Sequence, residues 1–307
     1  MDEVDWRILD ELGENCRISY RELAKRVGLS TTATMNRVVA MEDDGTIALY
    51  VVLPSSAMIG ANGYTALIHT DASEDSEEFM KAIVALPETI IVGELATTKG
   101  RSYVTTGQWI GAQRLQEIGR FFREPEAVEE VELHPIRRTL VSKGSKMELT
   151  KHHLLVLKAL NINARKPINE ISEETGLTRR RVRNILKSLM ESGAFRFIIR
   201  MNLTTKRMTE VVVRIHYNDY ESSLHWYEEL RQSGDLGSLF DMFYSITDPI
   251  AFAWFFVDDV RGVNRLSKEI AKESFVVSST PLVLHSMKKS PWLAQIKLEE
   301  MISELDL

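Results

Sequence analysis

Apolar side chains recur at helical spacing in three short bursts near the start of the chain, before a β-rich run begins. Trp6, Ile8, Leu9 and Leu12 form the first amphipathic stripe. A second begins at "SYRE", where Ser19 and Glu22 have capping-box spacing and Leu23, Ala24 and Val27 turn inward. Gly28 ends that helix, Ser30 caps a third, and Gly45 stops the third near Asp44. The short interval between the second and third helices is that of a helix-turn-helix unit. The β-rich run "TIALYVVL" follows and supplies a strand or wing.

The same skeleton returns later in the chain. Displacing the sequence by 148 residues lays Leu12 on Leu160, Arg17 on Arg165, Glu22 on Glu170 and Leu23 on Ile171. Gly28, Leu29 and Ser30 fall on Gly176, Leu177 and Thr178; Asn36 falls on Asn184, Met41 on Leu189 and Gly45 on Gly193. Leu154, Leu157 and Leu160 give the first stripe of this second copy, Ile168 and Ile171 the second, and Pro167 replaces the serine cap. Glycines, caps and apolar positions recurring together point to an internal repeat.

Downstream, the period changes. Copy one reads strand "YTALIHT", helix "SEEFMKAIVAL", strands "TIIVGELAT" and "RSYVTTGQWI", helix "AQRLQEIGRFF", strand "VEEVELHPI". Copy two repeats the order from "EVVVRIHY" to "TPLVLHS". This βαββαβ order is the ferredoxin-like pattern. The sequence therefore predicts an α+β chain with two winged helix-turn-helix domains (1–54 and 148–202), each followed by a ferredoxin-like βαββαβ domain (55–140 and 203–290). A polar linker "PIRRTLVSKGSKME" joins the copies, and a C-terminal helix is expected over 291–307, with Leu293, Ile296, Met301 and Leu305 roughly on one side.

Charge separates the two copies. The whole chain has a formal net charge of −6, which discourages coating by nucleic acid but leaves a local basic face possible. Residues 1–54 carry six Lys and Arg against ten Asp and Glu; residues 148–202 carry eleven against five. At about 100° per residue, Val182, Ile185, Leu186 and Leu189 of the third helix of copy two face the core. Arg180, Arg183, Asn184 and Lys187 land opposite, flanked by Arg179 and Arg181, and the cluster is expected to lack glutamate partners at i±4. A third helix of this kind enters the major groove, where arginine meets guanine, asparagine meets adenine and other groups hold phosphates. Thr178 at the helix start and Arg196 and Arg200 in the next strand extend the candidate DNA surface. Copy one offers a weaker set: Ser30, Thr31, Thr32, Asn36 and the lone cation Arg37, with Met35 and Val39 beside them. It is expected to be either a weak, specificity-adding reader or an interaction surface.

The stretches Ile18 to Tyr20, Glu22 to Ala24, Val27 to Ser30, Arg37 with Val38, and Gly45 to Ile47 resemble the Lrp/AsnC (feast/famine) transcriptional regulators. With the βαββαβ parts, the resemblance covers almost the whole chain, twice, as in a tandem-duplicated relative of archaeal type. It implies a DNA-binding regulator that pairs through its βαββαβ domains, so a homodimer on double-stranded DNA is expected. It also implies a possible small effector, commonly an amino acid, near the turn before the third βαββαβ strand. The matching positions are Gly100 and Tyr103 in "KGRSY" and Asp248 in "TDPIA", neither a clean match to the family's turn.

Other chemistry is hard to find. Phosphate loops, nucleophile elbows and zinc-protease motifs are absent from the sequence. His152 and His153 are adjacent and make a poor metal pair, while His69, His134, His216, His225 and His285 sit singly. No cofactor is expected. Cys16 is expected to be a small packed residue, and Trp226, Tyr227, Trp254, Phe255 and Phe256 to fill the second ferredoxin-like core. The acidic N-terminus, the single cysteine and the lack of any apolar run near the roughly 18 residues of a membrane span suggest a cytoplasmic protein. Two alternatives stand: a siroheme-decarboxylase-like enzyme, which shares this domain layout, and a regulator acting mainly through protein contacts. The enzyme would need histidine, arginine and tyrosine around a tetrapyrrole, and the strands "GELATTKGRSYVTT" and "FYSITDPIAFAWFF" offer no such cluster.

Overall fold

The computed structural model describes residues 1–97, 100–138, 144–202, 208–233 and 238–303. Copy one runs α1 (Glu3–Glu14), α2 (Tyr20–Val27), α3 (Thr31–Asp43), β1 (Ile47–Pro54), α4 (Ser56–Ile59), β2 (Ala61–Thr70), α5 (Ser76–Ala85), β3 (Thr89–Leu95), β4 (Arg101–Ile110), α6 (Arg114–Arg123) and β5 (Val128–Arg138). Copy two runs α7 (Lys151–Leu160), α8 (Ile168–Thr175), α9 (Arg179–Glu191), β6 (Phe195–Met201), β7 (Thr209–Tyr217), α10 (Tyr220–Ser233), β8 (Ser238–Ser245), β9 (Ile250–Val257), α11 (Val260–Ile270) and β10 (Val276–Lys289), followed by α12 (Leu293–Ser303). The end of the expected tail helix, Leu305 included, and linker residues 139–143 lie outside the described residues. No described helix is long and apolar enough to cross a membrane.

The expected runs of elements are present, but they do not stand as four successive bodies. The chain forms two compact units, each built from both copies: Met1–Ile59 with Ser142–Arg207 and Ala294–Leu307, and Gly60–Val141 with Met208–Leu293. The reason is strand pairing between copies.

In the first unit, the local signals form the helices as expected. Ser19, Ser30, Thr150 and Thr178 each accept a hydrogen bond from the backbone N–H three residues on. Gly28 (φ +77°) and Gly176 (φ +69°) end α2 and α8 in the left-handed region, where a side chain would be strained. β1 and β6 pair antiparallel, with Tyr50 opposite Ile199 and Val51 opposite Ile198. The 148-residue repeat places Tyr50 on Ile198 and Val51 on Ile199, so the repeat exchanges the two pairs and a local twofold axis passes through this ladder. Both strands' outer edges are used by the opposite copy: the Cys16 N–H donates to Phe197 O and the Ala164 N–H to Tyr50 O. The linking loops also exchange arginines. Arg17 donates to Ala164 O (2.5 Å) and Lys166 O (3.0 Å), and Arg165 donates to Cys16 O (2.5 Å). The Arg165 guanidinium lies over the rings of Tyr20 (4.6 Å) and Tyr50 (5.4 Å). Ile8, Leu9 and Leu12 of α1 share one buried cluster with Val156, Leu157 and Leu160 of α7 and with Leu298 and Ile302 of α12. Cys16 is packed in this cluster, and burial pushes its thiol up to about 12.

The second unit is a closed eight-stranded barrel in the order β10-β3-β4-β2-β5-β8-β9-β7. Each copy contributes four strands in ferredoxin-like order, β3-β4-β2-β5 and β8-β9-β7-β10. The terminal strand of each copy closes onto the other, β5 on β8 and β10 on β3. The βαββαβ pairing that the family resemblance implies is thus met within one chain. Alternation along the strands makes three cores. Tyr64, Ala66 and Ile68 face α5 and α6; Val211, Val213 and Ile215 face α10 and α11. Leu67, Val212, Phe243, Phe252 and Trp254 fill the barrel interior. Trp254 thus belongs to the interior rather than to the helix-facing core with Trp226, Tyr227 and Phe255, because it shares parity with Phe252. Phe256 has the same parity and is half-buried.

Gly107 on β4 shows how tightly the strands meet. A Cβ there would lie 2.2 Å from Glu88 O and 2.5 Å from the Tyr64 ring and hydroxyl. Gly107→Ala is expected to destabilise the barrel by about 1–3 kcal/mol, measurable as a fall in the denaturation midpoint.

Candidate nucleic-acid interface

α9 is held by one stripe and displays the other. Val182, Ile185, Leu186 and Leu189 are buried against α7, α8 and β6. Arg179, Arg180, Arg181, Arg183, Asn184 and Lys187 are exposed. Arg180 and Arg183 make no hydrogen bond or ion pair among the described residues, so both guanidiniums keep all their donors for an outside acceptor.

The other candidates are placed less simply. The Thr178 hydroxyl accepts the Arg181 N–H (3.3 Å) as a helix cap, and the Ser30 hydroxyl accepts the Ala33 N–H (3.2 Å). The Arg181 side chain donates to His152 Nδ1 on α7 (3.2 Å). The expected absence of glutamate partners is corrected at one position: Lys187 Nζ lies 3.7 Å from Glu191 Oε1, four residues on. Both side chains are more than two-thirds exposed, so the pair contributes little and leaves the ammonium accessible. Arg196 and Arg200 are half-buried on β6, and burial lowers the Arg200 pKa.

α3, related to α9 by the local twofold, has a different surface. Thr31, Thr32, Met35, Asn36 and Val39 are exposed, with Met35 and Val39 each at 41%. Arg37 is committed elsewhere, 2.7 Å from Asp2 Oδ2 and 2.7 Å from Asp5 Oδ1. Those carboxylates form a reciprocal capping box at the start of α1. The Asp5 N–H first, and then Arg37, hold the Asp2 carboxyl below its usual range. The copy-one face is therefore poorer in free cations than its sequence suggested.

The effector candidates separate. Tyr103 is fully buried and its hydroxyl donates to Glu74 Oε1 (2.6 Å). Gly100 turns with φ +61° so close to Thr70 O that a Cβ would meet it at 2.3 Å. Lys99 lies outside the described residues. Asp248 accepts from the Thr247 hydroxyl (2.7 Å) and lies 3.2 Å from His134 Nδ1, across the β5–β8 seam. His134 is therefore not solitary: its Nε2 is 3.5 Å from Glu132 Oε2, which accepts from Arg214 Nη2 at 2.7 Å. Neither strand segment weighed for the enzyme reading could reveal this cluster, because its histidine is on β5 and its arginine on β7.

The AsnC-type helix-turn-helix domain profile matches residues 1–42, and a winged helix-turn-helix DNA-binding profile matches residues 149–195. The HTH-type transcriptional regulator LrpA of Pyrococcus abyssi is 30% identical over 109 residues, 36% of this chain and 75% of that one. The proline dehydrogenase transcriptional activator of Rhodobacter capsulatus is 36% identical over 91 residues, 29% of this chain and only 59% of the relative's length. Among solved structures, the siroheme decarboxylase NirDL matches over 100% of both chains with a TM-score of 0.58 and 15% identity, a likeness of fold alone. By its helix-turn-helix profiles and its similarity to LrpA, the chain belongs to the Lrp/AsnC family of helix-turn-helix transcriptional regulators.

Proposed function

We propose that this protein is a transcriptional regulator, not an enzyme, that docks α9 in the major groove of double-stranded DNA. The observation that carries the reading is the division of α9: one buried apolar stripe and one outward stripe of Arg180, Arg183, Asn184 and Lys187. A buried stripe fixes the helix orientation, and the free guanidiniums can meet guanine edges or phosphates. The matching element order of the two halves supports a duplication within an Lrp/AsnC-type ancestor. The homodimer expected from the sequence rested on βαββαβ pairing, and that pairing is satisfied inside one chain. The fold shared with a siroheme decarboxylase is compatible with either activity; the basic helix favours DNA.

The experiment is an electrophoretic shift assay with pooled genomic duplex fragments between about 50 and 200 mM salt, the range over which phosphate contacts weaken steeply. Duplex binding that falls sharply with salt is expected. Salt-indifferent binding, or a preference for RNA, would count against the reading.

A further inference from the structure

We infer that a single chain spans both halves of its DNA site, with α9 gripping phosphates in one half and the uncharged face of α3 reading bases in the other. This rests on the DNA-binding reading above and adds the form of the partner: an asymmetric two-half site.

Three observations carry it. First, the β1–β6 ladder has local twofold symmetry about Tyr50, Val51, Ile198 and Ile199, so α3 and α9 are presented as equivalent helices about one axis. Operator half-sites mirror such an axis. Second, the two helix-turn-helix parts are locked together. They share one buried cluster, exchange Arg17 and Arg165 between loops, and cap each other's strand edges through Cys16 and Ala164. The spacing between recognition helices is thus set by the fold of one chain. Third, the two helices have diverged in kind. α9 displays free Arg180 and Arg183, whereas α3 displays Thr32, Met35, Asn36 and Val39 and has its only arginine bound to Asp2 and Asp5. Asparagine can bond adenine bidentately, and methyl-bearing side chains can meet the thymine methyl. Neither interaction neutralises a phosphate. α3 therefore adds sequence preference while contributing almost nothing to the salt-dependent part of affinity.

The test begins by selecting binding sites for the full-length protein from a random duplex pool. Chain-to-duplex stoichiometry is then measured by sedimentation, and phosphate ethylation interference is mapped on the selected site. The expected result is one chain per duplex and two base-preference clusters about one helical turn apart. Phosphate interference should be confined to one cluster. Asn36→Ala should relax the preference in the other cluster by on the order of tenfold per affected base pair, leaving the salt slope unchanged. Met35→Arg, at an exposed position, should steepen that slope by about 0.9. Two chains per duplex with phosphate interference in both halves would overturn the inference while leaving DNA binding intact. So would a single preference cluster unaffected by Asn36→Ala. Failure to select any duplex would overturn both readings.

Discussion

Replacing Arg180 and Arg183 together by glutamine is expected to lower duplex affinity about a hundredfold or more at constant salt. Each charge-assisted arginine hydrogen bond, as to a phosphate, is worth about 1.5–3 kcal/mol, and a factor of ten is about 1.4 kcal/mol. The fold should survive the change. Both side chains are exposed, and neither holds a hydrogen bond or ion pair among the described residues. Glutamine is also a good helix former, so α9 loses charge without losing its helix. The same assay on Thr32→Ala or Asn36→Ala should show at most a tenfold loss, because neither side chain carries a charge that could neutralise a phosphate. Equal losses from the two sets would contradict the asymmetry between copies.

Leu157→Ala is expected to destabilise the first unit by about 2–5 kcal/mol, the cost of emptying a fully buried leucine site. The distinctive outcome lies in what fails with it. Leu157 belongs to α7, yet its cluster contains Ile8, Leu9 and Leu12 of α1 and Leu23 of α2. α1 packs on β6 and α7 on β1, so each copy's first helix supports the other copy's strand. Hydrogen exchange should therefore show amides of α1 to α3 losing protection together with those of α7 to α9. Loss confined to residues 150–191 would mean that the two helix-turn-helix parts fold independently.

Much of this architecture was legible in the sequence because its signals are local. The serine and threonine caps, Gly28 and Gly176, and the period change after each third helix mark elements without reference to distant partners. The buried and exposed stripes of α9 follow from helical spacing alone, and the structure places Val182 and Arg180 on the expected sides. What sequence reading missed depends on partners far along the chain. Nothing near Arg17 foretells that it donates to the backbone of Ala164, and nothing near His134 announces Asp248 or the Arg214 to Glu132 pair. The association of the expected domains into two units was not legible for the same reason. The strand that completes each copy's sheet is also the strand that joins it to the other copy. One missed interaction did have a nearby signal. Asp2 and Asp5 have capping-box spacing at the start of α1, which places two carboxylates at one helix end where Arg37 could meet them.

On the proposed function, α9 holds DNA through free cationic side chains. The most direct test compares the slope of log affinity against log salt for the wild type and for Arg180→Gln/Arg183→Gln on one selected duplex. Each phosphate that the variant no longer neutralises should flatten the slope by about 0.9, so a variant releasing two phosphates is expected to be shallower by about 1.8. Equal slopes and equal affinities for the two proteins would contradict this role of α9.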